Sequence, residues 1–167
     1  PVVSSAASDV YKRQKLHLNK GPARFTAIRN CHSLMKGFFI SHKVEIVSYS
    51  IFEHFFLGLK KKPTKSILCL VDTNRRDLAI QKIDTSGKLV GKTKTLKINS
   101  DLIELLSQDY YLIGNGTEKL KDISEFKFIK SKTLSVTKLK SNYFVNKYYK
   151  RKSNYKFPKI IYPYSPI

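Results

Sequence analysis

A glycine–proline pair, Gly21-Pro22, fixes the one point in this chain where an extended segment must stop and a helix can start. Proline lacks the amide that a strand ladder or helix interior would use, and glycine opens backbone angles closed to other residues. Before the pair, Lys15 to Asn19 reads as the tail of a strand, with Leu16-His17-Leu18 at its centre. After it, apolar residues recur at Phe25, Ile28, Cys31, Met35 and Phe38, the spacing of one helical stripe. The spacing predicts a helix over Phe25 to Ile40 with that stripe buried. Thr26, Arg29, Ser33 and Lys36 fall between, on a face open to solvent or a partner.

The chain continues in short, alternating elements. Val44-Glu45-Ile46-Val47 is a β-branched strand. Ser50-Ile51-Phe52-Glu53 is a capping box opening a short helix through Phe55, Phe56 and Leu59. Lys60-Lys61-Lys62-Pro63-Thr64 is a polar loop with a breaker, the expected boundary between two halves, 15–62 and 63–167. Its lysines read as a solvated turn. Ser66 to Val71 is a continuous apolar run, as in a strand buried on both faces. Leu78 to Ile83 is a second strand, Asp84 to Lys88 a turn, and Thr93 to Ile98 an alternating strand. Asn99 or Ser100 caps a helix over Leu102, Ile103, Leu105 and Leu106, with Asp101 well placed in its first turn. Tyr110 to Ile113 is a further strand, ending in Gly114-Asn115-Gly116. Beyond it short apolar pairs alternate with lysines, and the spacing suggests a helix through Val136, Leu139, Tyr143 and Lys147.

With 167 residues the chain makes one domain or two small halves, and can bury ~70% of its unfolded surface. No run approaches the roughly 20 apolar residues of a membrane helix, and no signal-peptide pattern opens the chain, so a cytoplasmic protein without membrane contact is expected. Cys31 and Cys69 lie in apolar patterns and read as small core residues of a reducing compartment. The formal charge is +20, from 32 Lys and Arg against 12 Asp and Glu. Such a field attracts phosphate backbones. Only six of those bases are Arg, while Lys, Asn, Ile, Tyr and Phe abound, so AT-rich codon usage accounts for the basicity equally well.

Four stretches carry a resemblance. Gly21-Pro22-Ala23-Arg24-Phe25-Thr26-Ala27-Ile28-Arg29 is similar to the Gly-Pro-Gly-Ser-Phe-Thr-Gly-Leu-Arg segment of the TsaB family, with Ala23, Arg24 and Ala27 departing from it. Asp72, Arg75 and Arg76 fall on the family's Asp-Ala-Arg-Arg-Gly-Glu-Val-Tyr motif between two strands, where Thr73, Asn74 and Asp77 differ. Gly114-Asn115-Gly116 stands where the family has Gly-Asp-Gly after a strand. The closing Ile160-Ile161-Tyr162-Pro163-Tyr164-Ser165-Pro166 resembles Tyr-Leu-Arg-x-Pro-Asp, with the Arg replaced by Tyr164. Residues 1–14 stand apart. Ser4 to Gln14 resembles one reading frame of a transposase adaptor used in sequencing libraries, and the segment is left out of the fold reasoning.

The resemblance implies an actin-like, RNase H-like α/β fold, incomplete in its N-terminal half because the first strands and an Asp-Thr-Ser motif would precede Lys15. It implies a non-catalytic subunit of the tRNA threonylcarbamoyladenosine machinery. The partners would be a TsaD-type catalytic subunit and a TsaE-type ATPase, or a second copy in a homodimer, with tRNA engaged through the complex. ATP and metal would sit on those partners and no cofactor on this chain. The expected interface is Phe25, Thr26, Ile28, Arg29, His32, Ser33 and Lys36, and the expected motif turns are Gly21, Pro22, Asp72, Arg75, Arg76, Gly114 and Gly116.

The residues themselves supply little catalytic chemistry. His17, His32, His42 and His54 show no metal-ligand spacing with Cys or carboxylates, and no phosphate loop or nucleophile elbow is present. Asp72 with Arg75 and Arg76 could brace its own turn or grip an anion. Two other readings stand beside the scaffold subunit. One is a basic RNA-binding protein acting through Lys147-Tyr148-Tyr149-Lys150-Arg151-Lys152, which interleaves cations and aromatics. The other is a degenerate actin-like ATPase or peptidase relative.

Overall fold

The structure, a computed structural model, describes residues 15–23, 25–42, 44–137 and 157–161, the side chains of Phe25 and His42 excepted. The adaptor-like segment 1–14, the helical positions Leu139, Tyr143 and Lys147, the basic run 147–152, and Pro163 and Tyr164 lie outside the described residues.

Lys15–Asn19 forms strand β1, with Leu18 buried. The chain turns through a cis Gly21–Pro22 peptide into an 18-residue helix, α1 (Phe25–His42). Glu45–Tyr49 (β2) then runs parallel to β1, in register from Lys15 opposite Glu45 to Asn19 opposite Tyr49. The Lys15 ammonium meets the Glu45 carboxylate across that pair at 3.6 Å. Ser50 starts α2 (Ile51–Leu57) through both arms of the capping box. Its Oγ accepts from the Glu53 amide at 3.2 Å, and its own amide donates to Glu53 Oε2 at 2.7 Å. The helix stops at Leu57 rather than running through Leu59, because Gly58 turns the chain with its amide directed to the His54 and Phe55 carbonyls.

The second sheet has the order β5-β4-β3-β6. β3 (Ile67–Asp72) pairs antiparallel with β4 (Asp77–Ile83), and β4 antiparallel with β5 (Leu89–Lys97). Helix α3 (Ser100–Ser107), capped by the Asn99 side chain, carries the chain back to β6 (Tyr111–Ile113), which lies parallel to β3. Two short helices, α4 (Gly116–Leu120) and α5 (Ile129–Lys132), follow, with a 3-10 turn at Ser124–Phe126 between them. β5 begins four residues earlier than its alternating segment, because the turn at Asp84–Lys88 sends the chain directly back along β4. A register shift between Ile80 and Lys82 is filled by the buried Gln81 amide. Its Nε2 donates to the Val90 carbonyl at 2.9 Å and its Oε1 accepts from Thr93 Oγ1 at 2.8 Å.

β3 divides the core. Leu68 and Leu70 meet Leu102 and Leu106 of α3, with Leu120 and Phe126 on the same face. Ile67, Cys69 and Val71 meet Phe52 of α2 on the other. Burial drives the Cys69 thiol well above its usual pKa, so it is an inert core residue. At Val136 the chain is extended and bridges Leu59, not helical. No helix among the described residues is long and apolar enough to cross a membrane.

The sequence stripe on α1 is not the buried one. Ile28 is 5% exposed, whereas Cys31 and Phe38 are exposed. The covered side runs through Ile28, His32, Met35 and Phe39, rotated by roughly 30° at 100° per residue. The cause is a distant segment, residues 157–161. The Phe157 ring lies edge-on to His32 at 4.4 Å and against Phe39 at 5.7 Å.

Phe52 is fully buried where α2 closes one face of the β3 sheet. Phe52→Ala should therefore lower unfolding free energy by about 3–5 kcal/mol in urea titration, from lost transfer energy plus a cavity. Leu34→Ala, on exposed helix surface, should stay within about 0.5 kcal/mol of the parent.

Candidate functional site

The motif residues form two separate clusters. The first lies at the C-terminal ends of the parallel pair β3 and β6. Asp72 ends β3, and its Oδ1 accepts from the Asn74 amide at 2.8 Å and from Lys119 Nζ at 2.6 Å. Lys119 Nζ also donates to the Arg75 carbonyl. The Asp72 amide donates to Asn115 Oδ1 at 3.2 Å, tying the end of β3 to the loop after β6. Thr73 Oγ1 donates to the Asp77 carbonyl at 3.0 Å and accepts from the Arg75 amide at 3.3 Å.

Gly114 and Gly116 make that approach possible. A Cβ on Gly114 would lie 2.1 Å from the Leu70 carbonyl oxygen, and the residue has φ of +102°. A Cβ on Gly116 would stand 2.9 Å from the Leu70 carbonyl carbon. Both are steric exclusions, so the loop crosses β3 only where side chains are missing. Asp72, Arg75, Gly114 and Gly116 are thus brought together.

Electrostatically the cluster is a cross-tie. Burial pushes the Asp72 carboxyl up, and the hydrogen bonds from Lys119 and the Asn74 amide outweigh it, leaving the group below its usual pKa. Its ion-pair partner is Lys119, which the sequence reading did not single out, and not Arg75 or Arg76, both of which are exposed. Sequence offered only a faint signal for Lys119, a cation three residues past Gly116. Among the described residues no three His, Cys, Asp or Glu side chains could hold a metal ion.

The second cluster surrounds Gly21 and Pro22, both buried. The Gly21 amide donates to Asn19 Oδ1 at 2.9 Å, and its carbonyl accepts from the Ile51 amide at 3.0 Å. The Lys20 carbonyl accepts from the Ile161 amide at 2.6 Å. A Cβ on Gly21 would meet Ile28 Cδ1 at 2.6 Å and the Ile161 carbonyl at 2.8 Å, so this glycine lets α1 seat against the strap 157–161. His32 completes the seat, its Nε2–H donating to the Pro158 carbonyl at 2.7 Å.

Of the expected interface, Thr26, Arg29, Ser33 and Lys36 are exposed, Ile28 is buried within the chain, His32 is engaged by the strap, and the Phe25 side chain lies outside the described residues. The Cys31 core reading fails for the reason given for the stripe. The sequence reading also missed Leu34 and Ile40, which are 62% and 68% exposed, beside Phe38 at 39%. The available signal was Ala27, Cys31, Leu34 and Phe38, a second apolar stripe at four-three-four spacing.

Because the folded pKa of Asp72 is depressed, its contribution to stability is fully present above the unfolded carboxyl value of about 3.9 and is lost as pH falls through the lower folded value. Asp72→Asn should therefore melt below the parent at pH 7. The gap should close progressively below about pH 4, read from paired thermal melts across that range.

No family model matches the chain, and no curated protein does. Solved structures do. YeaZ from Pseudomonas aeruginosa superposes with a TM-score of 0.54 at 12% identity, over 70% of this chain and 57% of YeaZ. An uncharacterized protein with similarity to the peptidase YEAZ from Pseudomonas aeruginosa superposes with a TM-score of 0.60 at 11% identity, over 96% of this chain and 78% of its own length. This chain therefore spans less than two thirds of the first of these. The shared architecture, with its mixed sheet, is the actin-like, RNase H-like α/β fold of the YeaZ (TsaB) proteins.

Proposed function

We propose that the chain is a non-catalytic scaffold subunit of the tRNA N6-threonylcarbamoyladenosine apparatus. In this reading it docks a TsaD-type catalytic subunit through α1, with a TsaE-type ATPase as third partner. ATP and metal belong to those partners. The YeaZ-like fold supports this reading. The observation that carries it is the outer surface of α1, where Leu34 and Phe38 stand in line with Cys31, all exposed. An apolar stripe of this kind marks an interaction surface. Burying Leu34 and Phe38 against a partner would contribute roughly 1.5–3 kcal/mol each before the entropic cost of association. Docking then acts by population shift, favouring the partner conformation that fits α1.

Leu34→Glu combined with Phe38→Glu tests it. Leu34 is well exposed and Phe38 partly so, and the thermal melt should move by no more than a few degrees. Affinity for the TsaD-type subunit, measured calorimetrically, should fall by about a hundredfold, as expected for two buried carboxylates without partners. Undiminished binding by the double variant overturns the reading.

A further inference from the structure

The lysine loop 60–62 is not a featureless turn. It forms a ridge between two hollows. One, of 360 Å³, is bounded by Leu59, Pro63, Leu134 and Tyr111. The other, of 270 Å³, is bounded by Phe56, Leu57, Thr85 and Ser86. Lys60, Lys61 and Lys62 line both. Each hollow therefore has apolar wall, one aromatic ring and the same three cations at its rim.

The charge on the ridge is not compensated locally. Among the described residues none of the three lysines enters an ion pair. The acids nearby in sequence and space are committed elsewhere. Asp109 holds Lys65 at 2.6 Å, and the Asp84 carboxylate accepts from the Ser86 amide at 2.8 Å, Ser86 Oγ at 2.6 Å and the Lys88 amide at 2.9 Å. Those bonds hold Asp84 below its usual pKa, so it stays a committed anion within its own turn.

We propose that this ridge is a binding site for single-stranded nucleic acid. Adjacent bases occupy the two hollows, against Tyr111 and Phe56, and the phosphate that joins them crosses Lys60 to Lys62. Cations that track a backbone beside aromatic faces that accept bases are the recurring physics of single-strand binding. The hollows are small by the standard of ligand sites, one at the low end of roughly 300–1,000 Å³ and one just below it, which suits one base each and not a larger ligand. The site shares no residue with the α1 surface, so it stands or falls separately from the docking reading.

The test is fluorescence anisotropy of a labelled oligouridylate of about eight nucleotides with the full chain, across about 50–200 mM salt. Lys60→Ala, Lys61→Ala and Lys62→Ala together should weaken binding at least tenfold. They should also lower the slope of log K against log salt by about 0.7, the value for the one single-strand phosphate that the ridge contacts. A second triple variant, Lys92→Ala, Lys94→Ala and Lys97→Ala on exposed positions of β5, removes the same net charge and should leave the slope unchanged. Equal losses in the two triples overturn the proposal, because they mean that total charge and not the ridge binds the strand. An abasic strand of the same length should bind about tenfold more weakly, and equal binding overturns the base-holding hollows. Mononucleotide competing as well as the oligomer overturns it too, since the ridge would then serve a small phosphate ligand.

Discussion

Five consecutive buried residues, Ile67 to Val71, oblige the chain to cover both sides of one strand at once. A strand's side chains alternate, so odd and even positions need different partners. The even side, Leu68 and Leu70, is met from within the second half by α3 and the short helices after β6. The odd side is met by Phe52, which belongs to the first half of the chain. The capping box at Ser50 matters for that reason. It sets where α2 starts, and the start sets where Phe52 falls. One local hydrogen-bond pair therefore positions the residue that joins the small parallel sheet to the large one.

Close approach is the second constraint. β6 lies beside β3, and the loop that leaves it passes over Leu70 with no room for a Cβ at Gly114. The Asp72 amide then donates to the Asn115 side-chain oxygen, and Lys119 reaches the Asp72 carboxylate. The turn that resembles a family motif is thus first of all a device for fastening two parallel strand ends. Arg75 and Arg76 are exposed on its outside, and the Asp72 carboxylate is engaged by Lys119.

What was legible in the sequence was what is local. The capping box, the Asn99 cap, the continuous apolar run of β3 and the Gly-Asn-Gly turn are each decided within a few residues. What escaped was decided by distant chain. The covered side of α1 depends on Phe157 and Pro158, the latter 126 residues from His32, and no periodicity within α1 contains them. Lys119 pairs with Asp72 across 47 residues. Short helices α4 and α5 have no side-chain cap and only one turn or so of length, so neither period nor punctuation marked them.

That misassigned stripe bears on function. Counting Cys31 and Phe38 as core left Phe25, Ile28 and His32, with the polar Thr26, Arg29, Ser33 and Lys36, as the expected interface. Rotating the helix by the observed amount moves Cys31 and Phe38, with Leu34, to the outside, and withdraws Ile28 and His32. The outward surface then carries an apolar stripe beside its exposed polar residues, and salt leaves the burial of such a stripe largely intact. The lysine ridge has the opposite dependence, since displacement of counterions drives it. A chain with a formal charge of +20 can therefore carry two recognition surfaces that respond in opposite ways to ionic strength. Basicity by itself says nothing about which of them a given partner uses.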